Sequence, residues 1–219
     1  MPTLKLKLKD TPSQIEDRLL GKIKLHLQSA LKRSASAVQR RMGEVCESLI
    51  TGETEYHQLL SGTLLGELGI PDVNAKLTHI LQTIKRSVTV ESPVVQVYRQ
   101  TIMGGMLIKM IKSDYLDILG LPDASYSTLK GANIPWLDWL LLEGDRIIVV
   151  GYDVNLDLTP SEALSSRTGL ALMTKGSGWR IPPEYSGVAQ DNFITRAFDG
   201  ASVEALLVNV IKEEILTRL

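Results

Sequence analysis

The sequence predicts an α+β fold, in which a long N-terminal helix packs on an antiparallel β-sheet and a second helix lies at the C-terminus. Three observations lead to this prediction. Apolar residues recur at helical spacing through residues 13–50, short β-branched segments divided by glycine and proline fill the middle, and helical spacing returns after Ser202. The 219 residues are interpreted as a single domain, 1–219, from which the N-terminal strand and helix, 1–50, project.

The composition indicates a soluble globular protein and excludes several other classes. Apolar residues make up 44% and charged residues 22%, which argues against bulk disorder, and a single cysteine excludes a disulfide scaffold. The net charge of −1 argues against a general nucleic-acid binder. The longest stretch without Asp, Glu, Lys or Arg is 56–66, which is too short to cross a bilayer, and the first nine residues lack the apolar core of a signal peptide. No membrane partner is therefore expected.

The first element is a short strand over Thr3–Lys9, in which leucine and lysine alternate strictly. Leucines share one face, and lysines share the other. The favoured interpretation is a half-buried strand whose lysines keep an exposed edge from pairing with other strands. The alternative is a row of phosphate-binding lysines, although three lysines give only a weak, salt-dependent attraction.

A helix follows over 13–50, and a capping box of Ser13 and Glu16 opens it. Unbroken, it would be about 57 Å long, whereas a domain of this size has a radius of gyration of about 17 Å. Either the helix breaks, at Gly21 or Gly43, or it projects and a partner covers its apolar stripe. The stripe comprises Ile15, Leu19, Ile23, Leu27, Leu31, Val38, Met42, Val45 and Leu49, of which the first four are the candidate subunit-interface residues.

Charge is distributed unevenly along the chain. Residues 1–50 carry ten basic and five acidic side chains, a net charge of +5, whereas the remainder has a net charge of −6. Two interpretations stay open: a solvated helix face, or oppositely charged surfaces that meet between subunits.

Several shorter elements follow the long helix, which Thr51-Gly52 ends. A short helix is predicted over 54–60, and three glycines and a proline exclude a long helix through 61–72. An amphipathic helix is predicted over 73–84, with one face formed by Val73, Leu77, Ile80, Leu81 and Ile84.

The middle of the chain is predicted to form a hairpin or meander. Strands are expected over 88–90, 94–98 and 106–111, with turns at Ser92-Pro93 and Gly104-Gly105. The segment 134–144 then predicts a short helix that carries Trp136, Trp139 and Leu140 on one face.

The last third predicts a second hairpin and two helices. Strands are expected over 146–152 and 170–174, followed by a tight turn at 176–178 and a returning arm over 179–181. Asp191 or Asn192 is expected to cap a helix that runs to Phe198. Ser202 is expected to cap the terminal helix, which either docks on its own domain or is donated to a neighbour; its apolar face comprises Val203, Leu206, Leu207, Val210, Ile211, Ile215 and Leu216, and the candidate interface residues among them are Leu206 and Val210.

The sequence contains no recognisable catalytic, metal-binding or cofactor-binding motif, so no enzyme activity and no cofactor are expected. It has no phosphate-binding glycine loop, and its three histidines are dispersed. Cys46 is interpreted as a buried, inert thiol rather than a nucleophile. Trp136, Trp139 and Trp179 are interpreted as packing residues, with a stacking platform for bases or sugars as the alternative.

Three segments carry a family resemblance. They are 56–70, 166–173 and 179–187, the last running on to 191–197. Together with the Trp-Leu-Asp-Trp-Leu-Leu segment, they resemble neck and tail-completion proteins (head–tail connector proteins) of tailed bacteriophages, particularly contractile-tailed ones. The resemblance extends over most of the chain, from the N-terminal helix to Ala197. The residues that carry it are Ser61, Gly62, Leu64, Gly66, Gly69, Ser166, Thr168, Gly169, Pro182, Pro183, Asp191, Asn192 and Arg196.

The resemblance implies a virion structural protein without catalytic activity. Such subunits form a homo-oligomeric ring, commonly a hexamer, between the portal side of the capsid and the tail. They contact other neck, connector and tail proteins, and DNA passes through the ring without sequence-specific binding. The protein would be assembled in the host cytoplasm and located in the virion. Arg167 and Arg180 could pair with acidic residues across a subunit boundary or within the chain.

Other functions stay open beside this one. The closest alternatives are a tail terminator and a connector adaptor of the same assembly. From different classes, an unrecognised enzyme with dispersed carboxylates and a DNA-binding module that uses the basic residues 1–50 are the remaining hypotheses.

Overall fold

The fold is α+β, as the sequence predicts, and it is 55% helical. A computed structural model describes residues 9–91, 94–110, 115–128, 131–156, 165–167 and 171–218. Most of the predicted N-terminal strand, Thr3–Lys9, lies outside the described residues.

Helix α1, Pro12–Thr51, is continuous over 40 residues. Its start corrects the predicted capping box: the N–H of Thr11 donates to Gln14 Oε1 at 2.9 Å and the N–H of Gln14 donates to Thr11 Oγ1 at 3.4 Å, so the box lies two residues before Ser13 and Glu16. Neither Gly21 nor Gly43 breaks the helix. A Cβ on Gly43 would lie 2.8 Å from Cγ of Lys85, so this glycine permits a close side-chain contact.

Three helices follow: α2, Thr54–Ser61, α3, Thr63–Leu68, and α4, Val73–Ser87. No long helix crosses 61–72, as predicted, but the segment contains α3 and is not a simple loop. Gly69 ends α3 in the left-handed conformation, with φ 63°. The apolar face predicted for α4 is confirmed, because its five residues are all buried.

A two-stranded antiparallel ribbon follows α4. Strand β1, Thr89–Glu91, pairs with β4, Leu107–Lys109, and β2, Gln96–Tyr98, pairs with β3, Thr101–Met103. The predicted turn at Gly104-Gly105 is wrong. The chain turns at Arg99 and Gln100, which have φ values of 45° and 63°, as a tight two-residue hairpin turn requires. Gly104 instead allows a close approach to Val95.

The described residues of the middle segment form short elements. Helix α5 is Leu116–Leu119, and a 3₁₀ turn covers Pro122–Ala124. Strand β5, Tyr126–Ser127, pairs with β6, Asn133–Ile134, and the predicted tryptophan helix is α6, Trp136–Leu142.

A three-stranded antiparallel sheet has the strand order β7-β9-β8. Its strands are β7, Val149–Asn155, β8, Ser165–Arg167, and β9, Ala171–Trp179. The predicted turn at 176–178 is wrong, because β9 continues through it. The side chain of Asp153 occupies the space beside Gly176, and the N–H of Gly178 donates to Asp153 Oδ1 at 3.1 Å. These glycines therefore make room at a register shift between β7 and β9 rather than reversing the chain.

Two helices end the chain: α7, Phe193–Ala197, and α8, Ala201–Leu216. Asn192 caps α7 and forms a capping box with Thr195, which decides between the two predicted caps. The predicted cap of the terminal helix is wrong by position, because Ser202 lies inside α8.

The chain divides into two compact units. Unit 1 comprises Met1–Arg41, Thr89–Lys109 and Val208–Leu219; unit 2 comprises Met42–Val88 and Met110–Leu207. Among the residues described, no helix combines the length and the apolar character that crossing a bilayer requires.

Candidate functional site

Unit 1 has a small apolar core. Its buried apolar side chains, among the residues described, are Ala30, Leu31, Ala37, Val38, Val95 and Val210. The other buried apolar side chains of the described residues lie in unit 2, among them the large and almost completely buried Trp136, Met42 and Ile50. Among the described residues, the buried apolar side chains of unit 1 are few compared with those of unit 2.

The same unit exposes most of the large apolar side chains that lie on the surface. Over the described ranges, seventeen such side chains are exposed, and ten of them belong to unit 1. They are Leu19, Ile23, Leu25, Val94, Val97, Tyr98, Met103, Leu107, Val208 and Leu216. We call these ten side chains the unit 1 apolar surface. Because contiguous exposed apolar patches are characteristic of interaction sites, these side chains are the candidate site that the structure offers.

The first half of α1 contributes one part of that surface. Leu19 is 57% exposed and Ile23 is 46% exposed, and they lie one turn apart. Beside them is a shallow, open groove of about 440 Å³, which is lined by Lys22, Ile23, His26 and Leu27. Of the predicted interface residues on this helix, Leu19 and Ile23 are therefore exposed, whereas Ile15 and Leu27 are half-buried.

The ribbon covers another side of α1. The N–H of Val95 donates to Gln28 Oε1 at 2.6 Å, and Nε2 of Gln100 donates to Glu16 Oε2 at 3.0 Å. An isolated two-stranded ribbon is marginally stable, so this support from the helix is needed. Tyr98, Met103 and Leu107 nevertheless remain exposed on the ribbon.

Helix α8 exposes an unusual amount of apolar surface. Its sequence is apolar around most of its circumference, which is typical of a fully buried helix, yet Val210 is its only buried residue. The two predicted interface residues differ: Val210 is buried in its own chain, whereas Leu206 is 43% exposed. Val208 and Leu216 are exposed as well.

Polar contacts fix the direction of α8 against α1. Arg33 donates to the carbonyl oxygen of Arg218 at 3.1 Å, and Arg41 lies 3.6 Å and 3.8 Å from the carboxylates of Glu213 and Glu214. Arg33 therefore contacts the end of α8, while Arg41 contacts the preceding turn. The two helices are antiparallel in this region.

The segments that carry the family resemblance meet inside unit 2. The indole N–H of Trp179 donates to Glu67 Oε2 at 3.0 Å, which joins the third segment to the first. Nδ2 of Asn192 lies 3.4 Å from the carbonyl oxygen of Leu141, which joins it to the tryptophan helix. The side chain of Asn192 has no exposed surface. These polar side chains therefore connect segments inside unit 2.

Arg196 has two acidic partners within the chain. Its guanidinium donates to Glu55 Oε1 and to Asp191 Oδ1, the latter at 2.8 Å. Glu55 has only 5% of its side chain exposed. The pKa of the neighbouring Glu53 is raised, mainly because its carboxyl group is partly desolvated and secondly because the charge of Glu55 is close to it. No signal in the sequence distinguishes Glu55 from an ordinary acidic residue in the first turn of a helix.

The other residues of these segments have structural positions. Leu64 and Gly66 are buried in α3, Ser61 ends α2, and Gly62 separates the two helices. Pro182 is the first residue of a turn that includes Pro183. Its carbonyl oxygen accepts hydrogen bonds from the N–H groups of Tyr185 and Ser186. Ser166 and Arg167 lie in β8, whereas Thr168 and Gly169 lie outside the described residues.

Arg180 forms its ion pair within the chain. One guanidinium nitrogen lies 2.9 Å from Asp145 Oδ2, and both side chains are exposed. This contact matches the intrachain alternative for Arg180.

The thiol of Cys46 and the three tryptophan side chains are packed against other residues of the chain. Burial raises the pKa of Cys46 to about 11, and its sulfur lies 3.4 Å from Met110 Sδ. Trp136 is fully buried and donates to the carbonyl oxygen of Asp123 at 2.9 Å, while Trp139 contacts Trp179 with ring centroids 6.0 Å apart. Within the described ranges, no group of three His, Cys, Asp or Glu side chains is placed to hold a metal ion.

Comparison of the chain with protein-family models, with curated proteins and with solved structures finds no match.

Proposed function

We propose that this protein is a virion structural subunit that forms a ring at the neck of a tailed bacteriophage, between the portal side of the capsid and the tail. The single observation that carries the assembly part of this proposal is the unit 1 apolar surface beside a small apolar core. The assignment to the phage neck rests on the family resemblance of the three segments. A tail terminator or a connector adaptor is the alternative position in the same assembly.

Apolar burial between copies supplies the free energy of assembly. Removing apolar surface from water contributes about 25 cal/mol per Å², and a stable interface buries about 1,200–2,000 Å² in total. Leu19, Ile23 and Leu25 on one helix and Leu216 on another offer side chains that lose exposed area on association. Part of this gain offsets the lost translational freedom of the subunits.

The charge of the chain is compatible with a channel through which DNA passes. A chain with a net charge of −1 attracts the phosphates of DNA only weakly. Weak attraction suits a channel, because strong phosphate contacts would slow the passage of DNA. The basic residues of 1–50 and the acidic remainder provide oppositely charged surfaces for contacts between subunits.

The test combines the mass of the assembly with its location. Native mass spectrometry and electron microscopy of the purified protein are expected to show a closed ring with a central opening, alone or after addition of a portal or tail partner. The matched variants are Leu19→Ser with Ile23→Ser, which are expected to reduce assembly, and Ser29→Ala, an exposed position on the same helix, which is expected to leave it unchanged. A monomer under all these conditions argues against the proposal.

A second measurement addresses the phage assignment. Antibody labelling of phage particles that carry the chain is expected to mark the joint between head and tail. Labelling elsewhere, or tight DNA binding that falls steeply with salt, would favour a different function.

A further inference from the structure

We infer that the exposed basic side of α1 contacts the phosphate backbone of double-stranded DNA. This side comprises Lys22, His26, Ser29, Arg33, Ser36 and Arg40, and we call these six residues the basic stripe. The inference rests on the proposed function for the source of the DNA, which is the molecule that passes through the ring. It names the surface of each copy that the DNA meets there.

The basic stripe is one continuous line along the helix. Its residues are spaced alternately by four and three positions, and Lys22 and Arg40 are eighteen residues apart, which is five complete turns and about 27 Å. All six residues are exposed. Leu31 and Val38, which are buried, lie on the opposite side of the helix. The line therefore faces away from the apolar core of unit 1.

Acidic residues do not balance the positive charge of this part of the chain. From Arg18 to Gly43 the sequence contains seven basic residues and no Asp or Glu. Unit 1 carries fourteen basic and six acidic side chains, a net charge of +8, whereas unit 2 carries ten basic and nineteen acidic side chains, a net charge of −9. The net charge of the whole chain therefore conceals a strongly basic unit, and such a unit attracts polyanions.

The three charged side chains of the stripe have no acidic partner among the residues that the structure describes. Lys22 and Arg40 form no ion pair with those residues. Arg33 donates to the neutral carbonyl oxygen of Arg218 at 3.1 Å, which leaves its charge uncompensated. Arg41, one residue beyond the stripe, instead lies 3.6 Å and 3.8 Å from two carboxylates of α8. The charges on the stripe thus remain available to an external anion.

The chemistry of the stripe fits phosphate better than an acidic protein surface. No apolar residue occupies any of its six positions, whereas the centre of a protein interface is apolar and depleted in charged residues. Arginine, lysine and serine are side chains that donate to phosphate oxygens in protein–DNA complexes.

The spacing of the charges also suits a duplex. Along the helix, Lys22 is about 16 Å from Arg33, and Arg33 is about 10 Å from Arg40. These separations are comparable with the width of the major groove, about 12 Å, which a row of phosphates borders on each side. Successive basic side chains can therefore reach phosphates on both borders of one groove.

A contact of this size holds DNA loosely. Three charged side chains neutralise few phosphates, and non-specific binding of this kind has dissociation constants of about 10⁻⁴–10⁻⁶ M at physiological salt. Such weak contacts allow the DNA to move past each copy. Basic residues outside the stripe, such as Lys24 and Arg41, remain available for contacts between subunits.

The test measures binding of a DNA duplex of about 30 base pairs and arbitrary sequence by fluorescence anisotropy, over a range of salt concentrations. The stripe variant combines Lys22→Gln, Arg33→Gln and Arg40→Gln. It is expected to weaken binding at least tenfold at low salt and to reduce the slope of log K against log salt by about 3, since each lost phosphate contact contributes about 0.9.

Two matched variants are the controls. Lys24→Gln, Arg99→Gln and Lys212→Gln together remove the same charge from unit 1 at positions off the stripe, and they are expected to change the affinity less than about threefold and to leave the slope unchanged. A second triple variant, in which each stripe cation is replaced by the other basic residue, keeps the charge and is expected to bind DNA within about threefold of the wild type. Circular dichroism verifies that all variants retain the helical content of the wild type.

The binding experiment has two outcomes that overturn the inference. Equal losses of affinity and slope in the stripe variant and in the off-stripe control would mean that overall charge, and not the stripe, attracts DNA. Stronger binding of poly-glutamate, or of vesicles of phosphatidylglycerol, than of DNA at equal charge concentration would assign the stripe to an acidic protein or to a lipid surface.

The two proposals fail differently. Rings of the stripe variant that hold DNA as tightly as wild-type rings overturn the inference and leave the ring proposal standing. A stripe variant that forms no rings but binds DNA normally assigns the stripe to a subunit contact and also overturns the inference. A chain that stays monomeric with its virion partners, but loses DNA binding in the stripe variant, overturns the ring proposal and leaves the stripe as a DNA-binding surface.

Discussion

Arg196 and Glu55, which are 141 residues apart in the sequence, form an ion pair in which the carboxylate is almost completely buried. Asp191 contacts the same guanidinium from the exposed side. The pair ties the start of α2 to α7 within unit 2.

Removal of the arginine is expected to cost much more than removal of its exposed partner. Arg196→Met leaves the buried carboxylate of Glu55 without compensation, at a cost of about 3 kcal/mol in the free energy of unfolding. Asp191→Asn removes an exposed partner and is expected to cost less than about 1 kcal/mol. Urea denaturation at a fixed protein concentration measures both values.

A double variant provides the control for this prediction. Glu55→Gln in the Arg196→Met background removes the unpaired charge, so it is expected to recover at least about 1 kcal/mol. Equal costs for Arg196→Met and Asp191→Asn would mean that burial of Glu55 has no energetic consequence.

Asn192 is expected to be the most sensitive of the residues that carry the family resemblance. Its side chain accepts from the N–H groups of Ile194 and Thr195 and donates to the hydroxyl of Tyr115 at 3.1 Å. Asn192→Ala removes the cap and leaves buried polar groups unpaired, so we expect a loss of about 3 kcal/mol. Thr195→Ala removes only the reciprocal arm of the capping box and is expected to cost about 1 kcal/mol. Thermal unfolding followed by circular dichroism distinguishes the two, and the opposite order would contradict the prediction.

Cys46 is expected to be unreactive in the folded protein. Its pKa of about 11 leaves about 0.1% thiolate at pH 8, and its side chain has no exposed surface. A thiol reagent is therefore expected to react at least a hundredfold more slowly with native protein than with protein in urea.

The same thiol makes stability depend on pH at the alkaline end. Because its folded-state pKa is raised above the ordinary value of 9.0, its contribution is fully present below about pH 9 and is lost as the pH rises toward about 11. Cys46→Ala lowers stability at pH 7 but is expected to give a flatter profile between pH 9 and pH 11. An unchanged slope would show that other groups cause the alkaline loss.

Two leucines of α1 separate core packing from the exposed surface. Leu31 is buried, and Leu31→Ala is expected to cost about 2–4 kcal/mol because it leaves a cavity. Leu19 is exposed, so Leu19→Ser is expected to change the unfolding free energy of the monomer by less than about 0.5 kcal/mol. Both are measured by urea denaturation at a concentration below the onset of assembly. A large loss for Leu19→Ser would mean that this residue packs within its own chain.

Elements with a clear local pattern could be predicted from the sequence. The face of α4 and the apolar stripe of α1 follow from helical periodicity, although periodicity left open whether α1 breaks at Gly21 or Gly43. Local side-chain chemistry limited the cap of α7 to Asp191 or Asn192, of which the structure selects Asn192. The turn of the ribbon was predicted at Gly104-Gly105, because a pair of glycines is a common turn signal, whereas the chain turns at Arg99 and Gln100. Gly104 is needed for contact with Val95, while Arg99 and Gln100 adopt the left-handed conformation without glycine.

The candidate surface was also predicted only in part. Leu19 and Ile23 are exposed as the interface prediction requires, but Val210 is buried in its own chain, and the exposed apolar residues of the ribbon were not anticipated. Periodicity identifies an apolar stripe on a helix. It does not identify which part of the stripe another element of the same chain covers.

The sequence by itself determined the α+β class, the long first helix and the buried face of α4, because these depend on spacing and on contacts between near neighbours. Tertiary structure alone decided that Gly176 and Gly178 admit Asp153 within a continuous strand, that Glu55 meets Arg196, and that α8 is left largely exposed. Those outcomes depend on groups far apart in the chain, whose proximity is set by packing and not by local preference.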